Sequence, residues 1–314
     1  MASTNGEAGT LPEGVMSLLD TDLYKLTMQC AVLKYFSEVE VEYNFTNRTQ
    51  DMKLNRAAFA GSRRKQTVRW VWTTKCQAWL MNVNVELANI ILSDEELDYL
   101  RNTCTYFNEA YLRYMSTFRF RPGEHIHLAF HAINDTNSDE DLGDIELQTK
   151  GLWVETILYE IPLLALTSEA YFKFCDRDWR YEGQTQKAYH KGLQLLQNGC
   201  LFSEFGSRRR RDYYTQELVL RGLMQAQREG SANGLKGKFT GTSNVHFAMK
   251  YGIPPVGTVA HEWFMGVAAI TNDYENASET ALRYWLATFG KGVRTHMGVI
   301  FMDTADVARY LVLP

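Results

Sequence analysis

The chain has 314 residues, of which 45% are hydrophobic and 22% are charged, a composition typical of a globular protein with one or two domains. Its net charge of −4 and its pI near 6.0 argue against a general affinity for nucleic acid or a membrane surface. No apolar run reaches the ~18 residues of a membrane span. The five scattered cysteines lack zinc-site spacing and favour a reducing compartment, so we expect the protein in the cytoplasm or the nucleus.

The N-terminal segment, residues 1–16, is polar and glycine-rich, without the basic and apolar regions of a signal peptide. It is predicted to be a disordered tail. Residues 17–150 are predicted to form an α+β domain that begins with a helix over Leu18–Phe36. Three residues near its start could cap that helix: Asp20, Thr21 and Asp22. Val39–Thr46 alternates apolar and polar residues, which indicates a half-buried strand.

The segment at about 60–77 interrupts an otherwise continuous helical pattern. Joining Phe59 directly to Ala78 would give one unbroken helical segment. The interruption carries five basic residues and two tryptophans, a composition that could bind single-stranded nucleic acid. An insertion that is not native to the protein explains it more simply. We predict a surface loop without a catalytic role.

The rest of the first domain contains clear local signals. Ser93 precedes three acidic residues, which predicts the start of a helix, and a further helix is predicted over Glu109–Thr117. His125 and His127 alternate with apolar residues, so they are predicted to share one solvated face of a strand, in preference to a metal site. A strand is predicted to follow over Ile145–Val154.

The second predicted domain covers residues 151–314, where strands alternate with helices. This alternation is typical of a parallel sheet or barrel. A long helix over Glu155–Phe174 is expected to be kinked at Pro162. The other predicted helices are Tyr181–Gln197 and Gln216–Glu229. The predicted strands are Cys200–Phe205, Phe239–Thr242, Val256–Val259 and Met297–Met302.

A short stretch of this domain holds the residues most suited to chemistry. Thr242, Ser243 and Asn244 precede a short helical run, so they are candidates for an N-cap whose free N–H groups hold an anion. His261 and Glu262 follow a short strand, at the end where α/β folds build their sites. The alternative for His261 is a hydrogen-bonded histidine of the core.

Four consecutive arginines, Arg208–Arg211, follow the strand that ends near Gly206. At least one of them could bind a phosphate or carboxylate through its planar guanidinium group. The alternative is a solvated basic start to the next helix. An RNA-binding role is disfavoured because the chain as a whole is acidic.

Three blocks occur here in the order found in one known family. They are LLDTDLYKLTMQ at Leu18–Gln29, EFGSRRRRD at Glu204–Asp212, and GTSN with GTVAHEW inside Gly241–Trp263. With them the chain resembles nicotinate phosphoribosyltransferase, most closely the fungal enzymes, from about Ser17 to Gly290. The resemblance implies an α/β fold in which the α+β domain precedes a type II phosphoribosyltransferase barrel.

The resemblance also implies residue roles. Tyr24, which periodicity alone leaves as an amphipathic tyrosine at a helix edge, would reach the nicotinate pocket of the neighbouring subunit. Phe205 would stack on the pyridine ring, and Arg208 would reach the nicotinate carboxylate or a substrate phosphate. His261 would take a phosphoryl group from ATP, with Glu262 able to orient or neutralise its ring. Mg²⁺ would offset charge on the transferring group.

The implied reaction joins nicotinate to 5-phosphoribosyl diphosphate, with ATP as co-substrate, and gives nicotinate mononucleotide for NAD salvage. Thr242 and Ser243 would then donate to a phosphate. A homodimer is expected, without nucleic acid or membrane as partner. The arginine block resembles the nicotinate branch of the family and not the nicotinamide branch.

The resemblance fades after Gly290. In the family a strand ending in a TDTFGT-type motif follows, and Asp303 and Thr304 echo it. The family's next motifs, an RxDSGD segment that binds ribose and metal and a glycine-rich phosphate loop, have no counterpart in the remaining residues. The expectation is therefore an incomplete, C-terminally truncated barrel without assigned metal ligands. The alternative function is a catalytically inactive fragment that only binds ligands or another subunit.

Overall fold

The computed structural model describes residues 11–49, 51–60, 87–257 and 259–290. Its helices are α1 (Leu23–Tyr35), α2 (Asp94–Thr103), α3 (Glu109–Thr117), α4 (Pro122–His125), α5 (Trp153–Thr156), α6 (Glu160–Phe174), α7 (Gln184–Gln197), α8 (Tyr213–Ala232), α9 (Val245–Tyr251), α10 (His261–Thr271) and α11 (Ala277–Phe289). Its strands are β1 (Glu40–Asn44), β2 (Leu54–Asn55), β3 (Ile126–Ala132), β4 (Leu142–Leu152), β5 (Leu201–Glu204) and β6 (Lys238–Thr242). Residues 56–60 are also helical, and 3-10 turns cover Leu87–Asn89, Ile157–Tyr159 and Ser207–Arg209.

The first sheet is antiparallel and is organised on the long strand β4, with which β1, β2 and β3 all pair. The register with β3 runs from Ile126 opposite Thr149 to Ala132 opposite Gly143. β1 confirms the strand predicted from the alternation after α1. The last strand, β4, is followed directly by α5, which connects the antiparallel sheet to the part of the chain that forms the parallel segments.

The second sheet begins a parallel α/β pattern. β5 and β6 run parallel and are joined by α8, and residues 254–256 continue the pattern after α9. Thr242 donates its backbone N–H to the Pro254 carbonyl (3.2 Å) and accepts from the Val256 N–H (2.8 Å). The predicted mixed α/β fold is confirmed, although the third segment lies slightly earlier than the predicted strand. Within the described residues these segments do not close a barrel.

Helix α1 starts later than the apolar spacing predicts. The backbone is not helical from Leu18 to Asp22, and the helix begins at Leu23. Asp22 occupies the N-cap position, but its side chain makes no capping hydrogen bond. Its carboxylate instead accepts from the hydroxyls of Ser207 and Ser243, so the predicted capping role is wrong. The Asp22 carboxylate thus binds residues that are distant in the sequence and does not cap its own helix.

Two further local predictions are wrong. His125 ends α4 and is 8% exposed, whereas the ring of His127 lies open on β3, so the two histidines do not share a face. The helix predicted over Glu155–Phe174 is divided, and α6 begins only at Glu160. Pro162 therefore lies in the first turn of α6, where its missing N–H costs no helical hydrogen bond, and it is not a kink.

Other local predictions are confirmed. Ser93 and Glu96 form a reciprocal capping box at α2, and α3 has the predicted bounds. In contrast, part of the predicted disordered tail is ordered: the Gly14 N–H donates to both carboxylate oxygens of Glu169, at 3.0 and 2.9 Å. Residues 1–10, residues 61–77 of the predicted insertion and the predicted strand at 297–302 lie outside the described residues.

The largest cluster of buried side chains draws on both predicted domains. It combines residues of α1, α3, α5 and α6 with residues of α10 and α11. Phe36 stacks on Trp153, with ring centroids 6.0 Å apart, and Trp263 meets Trp285 edge-on at 5.7 Å. Aromatic rings contribute large apolar areas to such a core. Helix α10 is thereby packed against α1 and α5, and the residue that begins α10 is held in place.

Gly241 permits the close approach of β6 to residues 254–256. Its φ is 137°, and an added Cβ would lie 2.0 Å from the Pro254 carbonyl oxygen. We expect Gly241→Ala to lower the free energy of unfolding by about 3 kcal/mol, because it adds a clash to a strained backbone. Urea unfolding would measure this loss. Gly252→Ala is the matched control, with a φ of 61° and nothing within 4 Å of the new Cβ. Equal losses in the two variants would contradict the prediction.

Candidate active site

A buried ion pair ties the segment before α1 to the arginine block. The guanidinium group of Arg210 donates to both carboxylate oxygens of Asp20, at 2.7 and 2.8 Å. The side chains are 2% and 0% exposed. Burial alone would raise the pKa of Asp20, but Arg210 outweighs it and holds that pKa below its usual range. Arg210 is therefore committed to this contact and is not free to bind a ligand.

Two further carboxylates extend this buried network. Asp22 accepts from Ser207 at 2.8 Å and from Ser243 at 2.7 Å. Glu204, the last residue of β5, accepts from the hydroxyl of Thr242 at 2.6 Å. Burial raises the pKa of both carboxyl groups, and the hydrogen bonds only partly offset it. The network joins the ends of β5 and β6 to the segment before α1.

The three residues predicted to hold an anion before α9 lie inside this network. Thr242, Ser243 and Asn244 are all fully buried. The Asn244 side chain caps α9 by accepting from the Phe247 N–H at 3.0 Å and donates to Asp20 at 2.8 Å. The next N–H groups of α9 donate to backbone carbonyls of the segment before α1. In this structure these donors bind the protein's own chain; their role towards a phosphate stays a prediction.

Three other predicted site residues are exposed where the parallel segments end. Phe205 directly follows β5 and is 43% exposed. Arg208 lies in the next 3-10 turn, and its side chain is 40% exposed. His261 begins α10, shortly after residues 254–256, and is exposed. Parallel strands end at one edge of a sheet. We therefore expect this edge to present three groups to solvent: the ring of Phe205, the guanidinium group of Arg208 and the imidazole of His261.

A chain of ion pairs through the buried Lys25 connects Arg208 with the start of α10. Arg208 donates to Glu160 at 3.0 Å, and Glu160 also pairs with Lys25 at 2.5 Å. Lys25 pairs in turn with Glu262, the neighbour of His261. Burial would lower the pKa of Lys25, but the carboxylates of Glu262 and Glu160 outweigh it and raise that pKa. Lys25 therefore remains a cation, although its side chain is 0% exposed.

Glu262 is held by three donors from outside α10. Besides Lys25, it accepts from the hydroxyl of Tyr43 at 2.5 Å and from the indole N–H of Trp153 at 3.0 Å. These contacts orient the carboxylate towards the protein interior. The prediction that Glu262 orients or neutralises the imidazole of His261 is therefore not matched by a described contact, and it stays a prediction.

Tyr24 lies within the same group of charges and is 8% exposed. Burial is the main cause that raises the pKa of its hydroxyl, and the nearby carboxylates of Asp22 and Glu160 add to it. Arg208 acts in the opposite direction. The tyrosine is thus close to Arg208 of its own chain, whereas a contact with a neighbouring subunit stays a prediction.

Sequence reasoning missed the residues that support the exposed ones. Lys25 lies inside the family block at Leu18–Gln29, but no role was predicted for it, and Glu160 and Tyr43 lie outside the three blocks. One clue was available: Lys25 is the only charged residue between Leu23 and Cys30, in a helix that is otherwise suited to burial. A charged residue that is fully buried must be paired, but its partners lie far away in the sequence.

Among the described residues, no group of three or more His, Cys, Asp or Glu side chains could hold a metal ion. Across the same residues, no helix has the length and apolar character needed to cross a membrane. The described cysteines are free thiols: Cys30, Cys104, Cys175 and Cys200.

Comparison with known proteins identifies relatives along most of the chain. Residues 200–310 match the model of the nicotinate phosphoribosyltransferase (NAPRTase) family. Residues 19–71 and 71–168 match the model of the NAPRTase N-terminal domain. The probable nicotinate phosphoribosyltransferase of Schizosaccharomyces pombe is 46% identical over 297 residues, and that of Saccharomyces cerevisiae is 41% identical over 299 residues.

The fold is similar as well. A crystal structure of the Saccharomyces cerevisiae protein superposes with a TM-score of 0.76 at 41% identity, over 90% of this chain and 63% of that one. The Porphyromonas gingivalis enzyme superposes with a TM-score of 0.68 at 26% identity, over 88% of this chain and 61% of that one. The two fungal relatives match 95% of this chain, which spans 64% of each of them.

Proposed function

Because the chain belongs to the nicotinate phosphoribosyltransferase family, we propose that it joins nicotinate to 5-phosphoribosyl diphosphate with hydrolysis of ATP. The pyridine nitrogen of nicotinate attacks C1 of the ribose, and pyrophosphate leaves. The product is nicotinate mononucleotide, a precursor for NAD salvage. The chain spans 64% of its fungal relatives, so their complete activity is part of this proposal.

One observation carries the proposal most directly. Phe205 and His261 are exposed and Arg208 is half-exposed near the carboxyl ends of parallel segments, and ion pairs through the buried Lys25 link Arg208 to Glu262, the neighbour of His261. Such an edge is where α/β folds bind ligands. An aromatic ring beside a guanidinium group suits a flat ligand that carries a carboxylate, since the ring can stack and the guanidinium can donate to both oxygens. Nicotinate has this chemistry.

For the nicotinate site we assign stacking to Phe205 and anion recognition to Arg208. Glu160 holds one guanidinium nitrogen of Arg208 at 3.0 Å, which orients the group while its side chain remains 40% exposed. Tyr24 lies in the same group of charges and completes this side of the site, either in its own subunit or in the neighbouring one.

For the ATP half-reaction we assign His261 as phosphoryl acceptor. Its neutral imidazole attacks the γ-phosphorus, ADP leaves, and hydrolysis of the phosphohistidine returns the free imidazole. The exposure of His261 at the start of α10 supports this role, because the ring is accessible and a helix N-terminus favours negative charge. In the structure the donors of Thr242, Ser243 and Asn244 bind the protein's own chain. We assign them to a phosphate in a conformation in which residues 242–244 open towards the ligand.

No described residue is assigned to Mg²⁺, because the described carboxylates do not form a cluster that fits the ion. The proposal includes a homodimer and a location in the cytoplasm or nucleus. The free thiols support a reducing compartment.

The proposal is tested by incubating the purified chain with nicotinate, phosphoribosyl diphosphate, ATP and Mg²⁺. We expect nicotinate mononucleotide to form, as measured by chromatography. Nicotinamide in place of nicotinate is the matched substrate control, because it lacks the carboxylate that Arg208 would bind, and we expect a slower reaction. A folded protein that forms no product, alone or mixed with an intact relative, would contradict the proposal and favour an inactive, ligand-binding chain.

A further inference from the structure

We infer that Lys25 is a positioning residue of the candidate active site, because its buried ammonium group holds together the carboxylate that orients Arg208 and the carboxylate that follows His261. This inference rests on the function proposed above. Lys25 lies in the first turn of α1 and inside the family block at Leu18–Gln29, where a ligand role was predicted for Tyr24 and none for Lys25.

Lys25 has two carboxylate partners, and its own side chain is buried. Its side chain is 0% exposed, and its Nζ lies 2.5 Å from Glu160 and pairs directly with Glu262. The rings of Tyr24 and Tyr43 lie at 5.8 and 5.7 Å from the same nitrogen. Cation–π attraction adds to the two ion pairs at such distances. The ammonium group therefore has one well-defined position.

Each carboxylate leads from Lys25 to an exposed residue of the site. Glu160, the first residue of α6, binds Arg208 with its other oxygen at 3.0 Å. Glu262 lies next to His261 and is also held by Tyr43 at 2.5 Å and Trp153 at 3.0 Å. Lys25 is thus the shared partner of the start of α6, whose Glu160 holds the arginine turn, and the start of α10.

Stability alone does not account for this lysine. Burying an ammonium ion costs free energy that its ion pairs barely recover. Replacing all members of a buried ion-pair group by apolar side chains often leaves the stability of a protein unchanged. The charge does matter to a site that binds anions. Lys25 and Arg208 balance the two carboxylates, so loss of Lys25 would leave one excess negative charge beside the anion-binding guanidinium.

The test compares Lys25→Met with Lys34→Met. Lys34 lies on the same helix but is exposed, and its Nζ donates to the Ala287 carbonyl at 2.6 Å and lies 4.9 Å from the centre of the Tyr35 ring. We expect Lys25→Met to increase hydrogen exchange both at 205–211 and at 259–265, while Lys34→Met changes neither. Nicotinate binding, measured by calorimetry, should weaken roughly tenfold, and kcat for product formation should fall by about 10²-fold from misplacement.

The double variant Lys25→Met/Glu262→Gln separates positioning from charge balance. It removes one charge of each sign, so it should regain the melting temperature lost in Lys25→Met, but kcat should stay low because the two elements remain unconnected. Full recovery of kcat, or unchanged exchange at both segments in folded Lys25→Met, would overturn the inference. If the wild type binds no nicotinate, the proposed function fails, whereas the exchange comparison still decides whether Lys25 couples the two elements.

Discussion

His261→Ala is expected to abolish acid-labile label transferred to the protein from γ-labelled ATP, while the wild type becomes labelled. The imidazole is the only group of that side chain able to attack phosphorus, so its removal leaves no acceptor. The ring is exposed at the start of α10, and its loss should not disturb the buried cluster around Trp263. Precipitated protein, counted before and after acid treatment, measures the effect.

His127→Ala is the matched control for this experiment. His127 is also an exposed histidine, but it lies on β3, a strand of the antiparallel sheet. Its variant should be labelled like the wild type. Label that survives in folded His261→Ala would show that another group accepts the phosphoryl group. Absence of label from the folded wild type would leave the ATP half-reaction without support.

Asp20→Asn is expected to lower the free energy of unfolding by about 3–5 kcal/mol, because it leaves the charge of Arg210 buried without its partner. The Arg210 side chain is only 2% exposed and cannot turn to solvent without unpacking. Urea unfolding measures the loss. The exposed pair Arg283 and Glu279 supplies the control: Arg283→Gln should cost less than about 0.5 kcal/mol.

Should Asp20→Asn fail to fold, the double variant Asp20→Asn/Arg210→Gln keeps the prediction testable. It removes both charges and should be more stable than the single variant. A single variant as stable as Arg283→Gln would contradict the proposed importance of the buried pair.

The same pair predicts a pH dependence. The folded pKa of Asp20 lies below its unfolded value of about 3.9. Its contribution is therefore complete above that unfolded value and is lost as the pH falls through the lower folded pKa. The difference in unfolding free energy between the wild type and Asp20→Asn should be constant near neutral pH and shrink below about pH 4. A difference that grows on acidification would contradict this sign.

Much of the local structure follows from the sequence, because its signals act within a few residues. The capping box at Ser93 and the bounds of α3 depend on neighbouring side chains alone. The alternation of strands and helices after residue 200 likewise predicted parallel segments. The three blocks of the family resemblance indicated Phe205, Arg208 and His261, which the fold exposes at one edge.

Local patterns and the family blocks therefore indicated most of the helices and strands, the family and the candidate ligand-binding residues. The residues that support these candidates become visible in the folded chain. Asp22 appeared suited to cap α1 but binds hydroxyls that lie 185 and 221 positions away. Lys25 and Glu262 are 237 positions apart, and no local pattern pairs them. Such partners are selected by burial, because a charge removed from water must find an opposite charge wherever the fold brings one near.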